Sequence, residues 1–185
     1  MATATKKKLL TAEEFMRMPD APDGSQQELV RGEIVTMPPA QGPHGVCCSA
    51  IAILIGQFVK QKKLGFMTIN DTGTILERNP DTVRGPDVAF YSFKRVPKLP
   101  KGYFEVAPDL AVEVLSPDSS FSKLQRKVEQ YLKSGSSLVW VFDPELRTVT
   151  IYRPKQQPET LEEAETLSGE KVLLGFSCRV ADCFQ

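Results

Sequence analysis

Two stretches of this chain, Leu110-Ala-Val-Glu-Val-Leu115 and Leu138-Val-Trp-Val-Phe142, are almost wholly apolar and read as buried strands. Strands of this kind lack the in-out alternation of a half-exposed sheet, so they need cover from packed helices. Two segments can supply it. From His44 to about Lys62, Ile51, Leu54, Ile55, Phe58 and Val59 recur at helical spacing before a basic, glycine-terminated end at Lys60, Lys62, Lys63 and Gly65. A second amphipathic helix is expected to start at Ser116-Pro-Asp118, carry the stripe Phe121, Leu124, Val128, Tyr131 and Leu132, and stop at Gly135.

Shorter elements fill the remainder. Thr11 with Glu14 forms a capping-box pattern for a short helix inside an N-terminal extension, residues 1–26. Glu28-Leu-Val-Arg-Gly-Glu-Ile-Val35 reads as a hairpin turning at Arg31-Gly32. Strands are expected at Phe66 to Asn70, Thr72 to Glu77, Asp87 to Tyr91, Thr148 to Tyr152 and Lys171 to Leu174, and a mobile acidic loop over residues 154–170. The order of elements predicts one α/β domain over residues 1–185, with a central mixed sheet flanked by helices.

Composition removes several classes of function. Lys plus Arg number 23 and Asp plus Glu number 23, so no global field draws the chain to polyanions. One histidine, His44, rules out sites built from several imidazoles within one chain. Cys47, Cys48, Cys178 and Cys183 follow neither a disulfide framework nor a zinc-knuckle spacing, and reduced cytoplasmic thiols are expected. The first ten residues lack the apolar core of a secretory signal. The longest apolar run, Val46 to Val59, is interrupted by Ser49, Gly56 and Gln57 and is shorter than the ~20 residues of a bilayer span, so no membrane association is expected.

Glu113 is the chemical outlier, a carboxylate inside the most apolar strand, where burial without a partner costs several kcal/mol. It either turns to solvent at a strand end, meets an arginine, or belongs to a site. Asp87 opens the strand after Arg84-Gly-Pro, and Pro-Asp is also an ordinary turn. If the two converge on one side of the sheet, they suit a magnesium ion, which takes one or two carboxylates and keeps waters or phosphate oxygens. On the following helix, Lys127 projects about 40° from Tyr131 at the margin of the apolar stripe. It can bury its stem and extend its ammonium toward the sheet edge, or remain a solvated lysine.

Taken together, Arg84-Gly-Pro-Asp-Val-Ala-Phe90, Ala107-Pro-Asp-Leu-Ala-Val-Glu-Val-Leu-Ser-Pro117, Lys127 with Tyr131 and Gly135, and Val139-Trp-Val-Phe-Asp-Pro144 resemble the Uma-two-type endonuclease family. That family is similar to the restriction-endonuclease-like, or PD-(D/E)xK, nucleases. Including the hairpin and His44, the resemblance covers about residues 27 to 153. It implies a metal-dependent endonuclease in which metal-activated water hydrolyses DNA phosphodiesters, with Mg2+ or Mn2+ as cofactor. Asp87, Glu113 and the Val114 carbonyl would be metal ligands and Lys127 the catalytic cation.

No lysine stands two residues after Glu113, so the cation must come from the following helix. Glu28, His44 and Asp109 are additional candidates. Lys94, Arg95, Lys98 and Lys101, on the segment joining the two acidic strands, are candidate DNA contacts near the metal. A homodimer fits an enzyme cutting both strands. The competing readings are a non-catalytic nucleic-acid-binding or assembly module on the same scaffold, and a hydrolase acting on another phosphate-containing substrate.

Overall fold

The computed structural model describes residues 8–117 and 120–185. A short helix, α1 (Ala12–Met16), precedes the hairpin of β1 (Gln26–Val30) and β2 (Glu33–Met37), and α2 (Gly42–Lys62) follows. Next come β3 (Gly65–Ile69), β4 (Thr74–Glu77), β5 (Thr82–Arg84), β6 (Val88–Ser92) and β7 (Leu110–Val114). Helix α3 (Phe121–Lys133) leads into β8 (Leu138–Asp143), β9 (Thr148–Tyr152), β10 (Glu159–Leu161), β11 (Thr166–Ser168) and β12 (Ser177–Arg179), and a 3-10 helix spans Val180–Phe184.

The central sheet has the order β10-β9-β8-β7-β6-β3. It is mixed because β7 and β8 are parallel, joined through α3, whereas β6 and β9 run antiparallel to them. Alternation along β7 divides its side chains between two layers. Leu110, Val112 and Val114 join Trp140, Phe142 and the α2 residues Ile51, Ile55 and Val59. Ala111 faces the other way, with Val139 and Val141, against Val128 and Tyr131 of α3. Glu113 shares this second face.

A second sheet, β2-β1-β5-β4, lies beside the first in the chain. Its β5 passes through Gly85-Pro86-Asp87 directly into β6. The hairpin turn sits where expected, with Arg31 and Gly32 both at positive φ (53° and 79°), the backbone that a two-residue type I′ turn requires. The Thr11 capping box is also formed: its hydroxyl accepts from the Glu14 amide at 3.1 Å and its amide donates to the Glu14 carboxylate at 2.9 Å.

Several expectations need correction. The second long helix starts at Phe121 with Ser120 as its N-cap, and Asp118 lies outside the described residues. The acidic stretch after Pro154 contains β10, paired with β9, and β11, paired with β12. Arg153 ties it down through Glu159 and Glu170, each at 2.7 Å. Lys171 to Leu174 turns instead of extending, and the strand it foreshadowed comes later, at β12. At 21 residues, α2 is long and apolar enough by length and composition to cross a bilayer, because it runs beyond Val46–Val59 at both ends. Its Cys47, Ala50, Ile51, Ile55 and Val59 are nevertheless buried in this fold.

The basic segment is also placed differently. It leaves β6 at Ser92 and returns at Asp109, at the end of β7 opposite Glu113, and four strand steps of ~3.3 Å put about 13 Å between those two positions. Arg95 is not available there to a phosphate. It donates to Asp109 at 3.0 Å and to the carbonyls of Ala107 (2.8 Å) and Gly135 (2.9 Å), bracing the starts of β7 and β8. Asp109 accepts from the Ser92 amide at 2.7 Å as well. Lys94, Lys98 and Lys101 are exposed. Arg95→Ala should therefore lower unfolding stability in urea by about 2 kcal/mol, from lost hydrogen bonds to a charged, partly exposed group. Lys98→Ala should leave it within about 0.5 kcal/mol.

Candidate metal centre

The site forms where the two sheets meet, at the carboxyl end of β7, the usual place for ligands in open α/β sheets. The β6–β7 pairing sets Val88 opposite Val112, and its continuation by one residue sets Asp87 opposite Glu113. The Val114 amide donates to Asp87 Oδ2 at 2.7 Å, fixing the aspartate carboxylate over the strand end. Val114 thus touches the site through its N–H.

Glu113 is buried, and both of its oxygens are engaged. Oε2 lies 2.7 Å from Lys127 Nζ, and Oε1 accepts from the Tyr131 hydroxyl at 2.8 Å. Lys127 also reaches Glu28 Oε1 at 3.1 Å and the Gly85 carbonyl at 3.3 Å. Lys127 and Tyr131 are one helical turn apart, so they present side by side to β7. Glu28 is reached from the second sheet. It accepts from Arg84 Nη1 at 2.6 Å and from the Gly85 amide at 3.0 Å. Arg84 is held in turn by Gln130 Oε1, at 2.9 and 2.7 Å from Nε and Nη2.

From the other layer, the first turn of α2 brings His44 Nε2 to 3.3 Å from Asp87 Oδ1. Asp71, in the Asn70-Asp71 turn between β3 and β4, bonds to Gln26. That turn packs against Gly85, where a Cβ would stand 2.4 Å from the Asp71 carbonyl oxygen, so a side chain at residue 85 would force the two segments apart.

The structure thus gathers Asp87, Glu113, Lys127, Glu28 and His44 into one cluster, and leaves Asp109 at the far end of β7 with Arg95. Sequence reasoning named Arg84 and Tyr131 only as motif residues, and missed Asp71, Gln130 and Cys48, whose Sγ lies 3.5 Å from His44 Nδ1, as neighbours of the site. Gln130 and Tyr131 had a signal, since they lie three and four residues after Lys127. Asp71 had none, because nothing in a surface-like turn indicates that it folds back onto Gly85.

Electrostatics shows a shortage of positive charge. Burial pushes the Glu113 carboxyl up to about 8, with Asp87 and Glu28 adding to the rise and Lys127 opposing it. Burial, assisted by Asp87, takes Asp71 up to about 6. Burial also opposes ionisation of Glu28, but Lys127, Arg84 and the Gly85 amide outweigh it and hold that carboxyl below its usual range. Burial disfavours charge on Lys127, yet Glu113, Glu28 and Asp87 raise it above an ordinary lysine. His44 is raised by its hydrogen bond to Asp87.

A family model described as "Uma2: Putative restriction endonuclease" matches residues 12–181. The chain belongs to the Uma2 family. Among solved structures, the crystal structure of a putative nuclease belonging to DUF820 from Anabaena variabilis ATCC 29413 is similar at 27% identity and a TM-score of 0.81, over 95% of this chain and 97% of that one. No curated protein matches the sequence. Uma2 membership and the shared fold support nuclease function.

The raised carboxyls fix the sign of a pH effect. From about pH 5 to 8, the folded protein without metal holds a proton on Glu113 that the unfolded chain releases near 4.5, so stability falls as pH rises. Asp71 acts the same way up to about 6, and His44 above its ordinary 6.5. The urea midpoint in chelator should fall across that window, and Glu113→Gln should flatten the fall. Equal slopes for the two proteins would mean that Glu113 is already ionised.

Proposed function

We propose that this Uma2 protein is a divalent-metal-dependent nuclease that hydrolyses phosphodiester bonds in DNA. The supporting observation is the charge shortage. Four carboxylates, Glu28, Asp71, Asp87 and Glu113, meet two permanent cations, Lys127 and Arg84, and the neighbouring carboxylates add to the burial that drives the Glu113 carboxyl up to about 8. A hard dication relieves that imbalance, and oxygen donors are its preferred ligands. Asp87 and Glu113 would hold it, with the Val114 carbonyl as a further donor. When bound, magnesium or manganese supplies a Lewis acid for the phosphate and makes a water it carries more acidic.

The chain's own groups do the rest. Lys127 keeps its ammonium within 2.7 Å of Glu113, where it can offset charge developing on a phosphate oxygen. Tyr131 orients Glu113, and Arg84 with the Gly85 amide fixes Glu28, which steadies Lys127. His44, beside Asp87, is an imidazole able to gain or lose a proton near neutral pH. Lys94, Lys98 and Lys101 would add phosphate contacts away from the centre, each weakening with salt by a slope of about −0.9 per phosphate on duplex DNA. A homodimer would present two such centres to the two strands.

One observation favours a second reading. Both Glu113 oxygens and both Asp87 oxygens already have partners within the chain, the state suited to a nucleic-acid-binding module without cleavage. A plasmid-nicking assay separates the two. With Mg2+ or Mn2+ the wild type should nick DNA, and Asp87→Ala, Glu113→Gln and Lys127→Met should each lower the rate by about 100-fold or more. DNA retained in a gel shift but never cut with either metal would instead establish the binding module.

A further inference from the structure

His44 and Cys48 lie four residues apart on α2, so their side chains share one face. His44 Nδ1 is 3.5 Å from Cys48 Sγ, and His44 Nε2 is 3.3 Å from Asp87 Oδ1. One ligand atom from each of the three residues lies within 4.8 Å of the others, and all three are partly buried. A tetrahedral ion with ~2.05 Å to nitrogen and ~2.3 Å to sulfur separates those two ligand atoms by about 3.6 Å. The Nδ1 nitrogen and the thiol already stand at that separation, whereas Asp87 lies beside the opposite ring nitrogen and would have to swing its carboxylate to the Nδ1 side to join the same ion. Sulfur is a poor donor for magnesium and a good one for zinc-like ions, so this donor set differs in kind from the all-oxygen set around Glu113.

We propose that His44, Cys48 and Asp87 form a binding site for a thiophilic divalent cation of the zinc class. Binding replaces the thiol proton with a sulfur–metal bond and releases that proton, together with the imidazolium proton wherever His44 is charged. Until then burial, assisted by Asp87, holds Cys48 as an unreactive thiol. Since Asp87 is assigned to the magnesium site as well, the two ions compete for it, and zinc slows cleavage. That consequence rests on the nuclease reading, whereas the binding does not.

Cobalt(II) added to the full chain is the probe. The wild type should bind one equivalent, show sulfur-to-cobalt charge-transfer absorption in the near ultraviolet, and lose it on addition of zinc. Cys48→Ser should abolish the band, and His44→Gln should weaken binding at least about tenfold. Glu113→Gln and the Cys178→Ser/Cys183→Ser double variant should keep it. No band in the wild type, or a band that survives Cys48→Ser, overturns the site. In the nicking assay, equimolar zinc should slow the magnesium-dependent wild type. A wild type that binds cobalt through Cys48 but never cuts DNA removes the nuclease reading and leaves the site standing.

Discussion

The Lys127 ammonium is the interaction on which the arrangement depends. It lies between carboxylates from two different sheets, Glu113 on β7 and Glu28 on β1, and also touches the chain segment that joins those sheets at Gly85. Removing one member of a buried ion pair typically costs ~3–5 kcal/mol, because the partner is left charged and dry. A buried carboxylate near the end of the most apolar strand is therefore tolerable because α3 delivers Lys127 and Tyr131 to it together. The chemistry of one residue sets the seating of a helix.

The same cluster is over-supplied with acid. A single ion pair could have satisfied Glu113, as Arg95 with the Ser92 amide satisfies Asp109 at the other end of the strand. The contrast between the two acids of β7 is informative. At Asp109 charge and partners balance and the result is a brace. Around Glu113 the carboxylates outnumber their permanent cations, and that excess adds to burial in holding protons where an ordinary carboxyl would have lost them. In the proposed nuclease, a bound dication would relieve that excess.

Much of this was legible in the sequence, for identifiable reasons. The two apolar strands and two helical stripes have strong periodic signals, and Asp87, Glu113 and Lys127 follow from where those patterns carry an odd residue. The unreadable parts lack periodicity. β5 has three residues and is recognisable only through its pairing with β1 and β4. Asp71 enters through a turn, and β10 to β12 are too short to announce themselves. The placement of the basic segment is not readable either, because neighbours in sequence are not neighbours in space. A segment that joins two antiparallel strands at one end is carried away from their other end by the length of the strands themselves.

That geometry also explains why donors of different character meet at Asp87. Mid-strand side chains are confined to one layer of the sandwich, so Ala111 sees only α3 and Val112 only the α2 layer. At the strand end the layers open onto each other. Asp87, just outside β6, receives the β7 amide along the sheet edge and His44 from the opposite layer, while Glu113 beside it draws Lys127 from α3. Only a residue at this margin can be approached from both faces at once. In the two proposed sites, the oxygen ligands of one layer and the imidazole and thiol of the other would therefore share a single carboxylate, so that an ion taking it would change what the other face can bind.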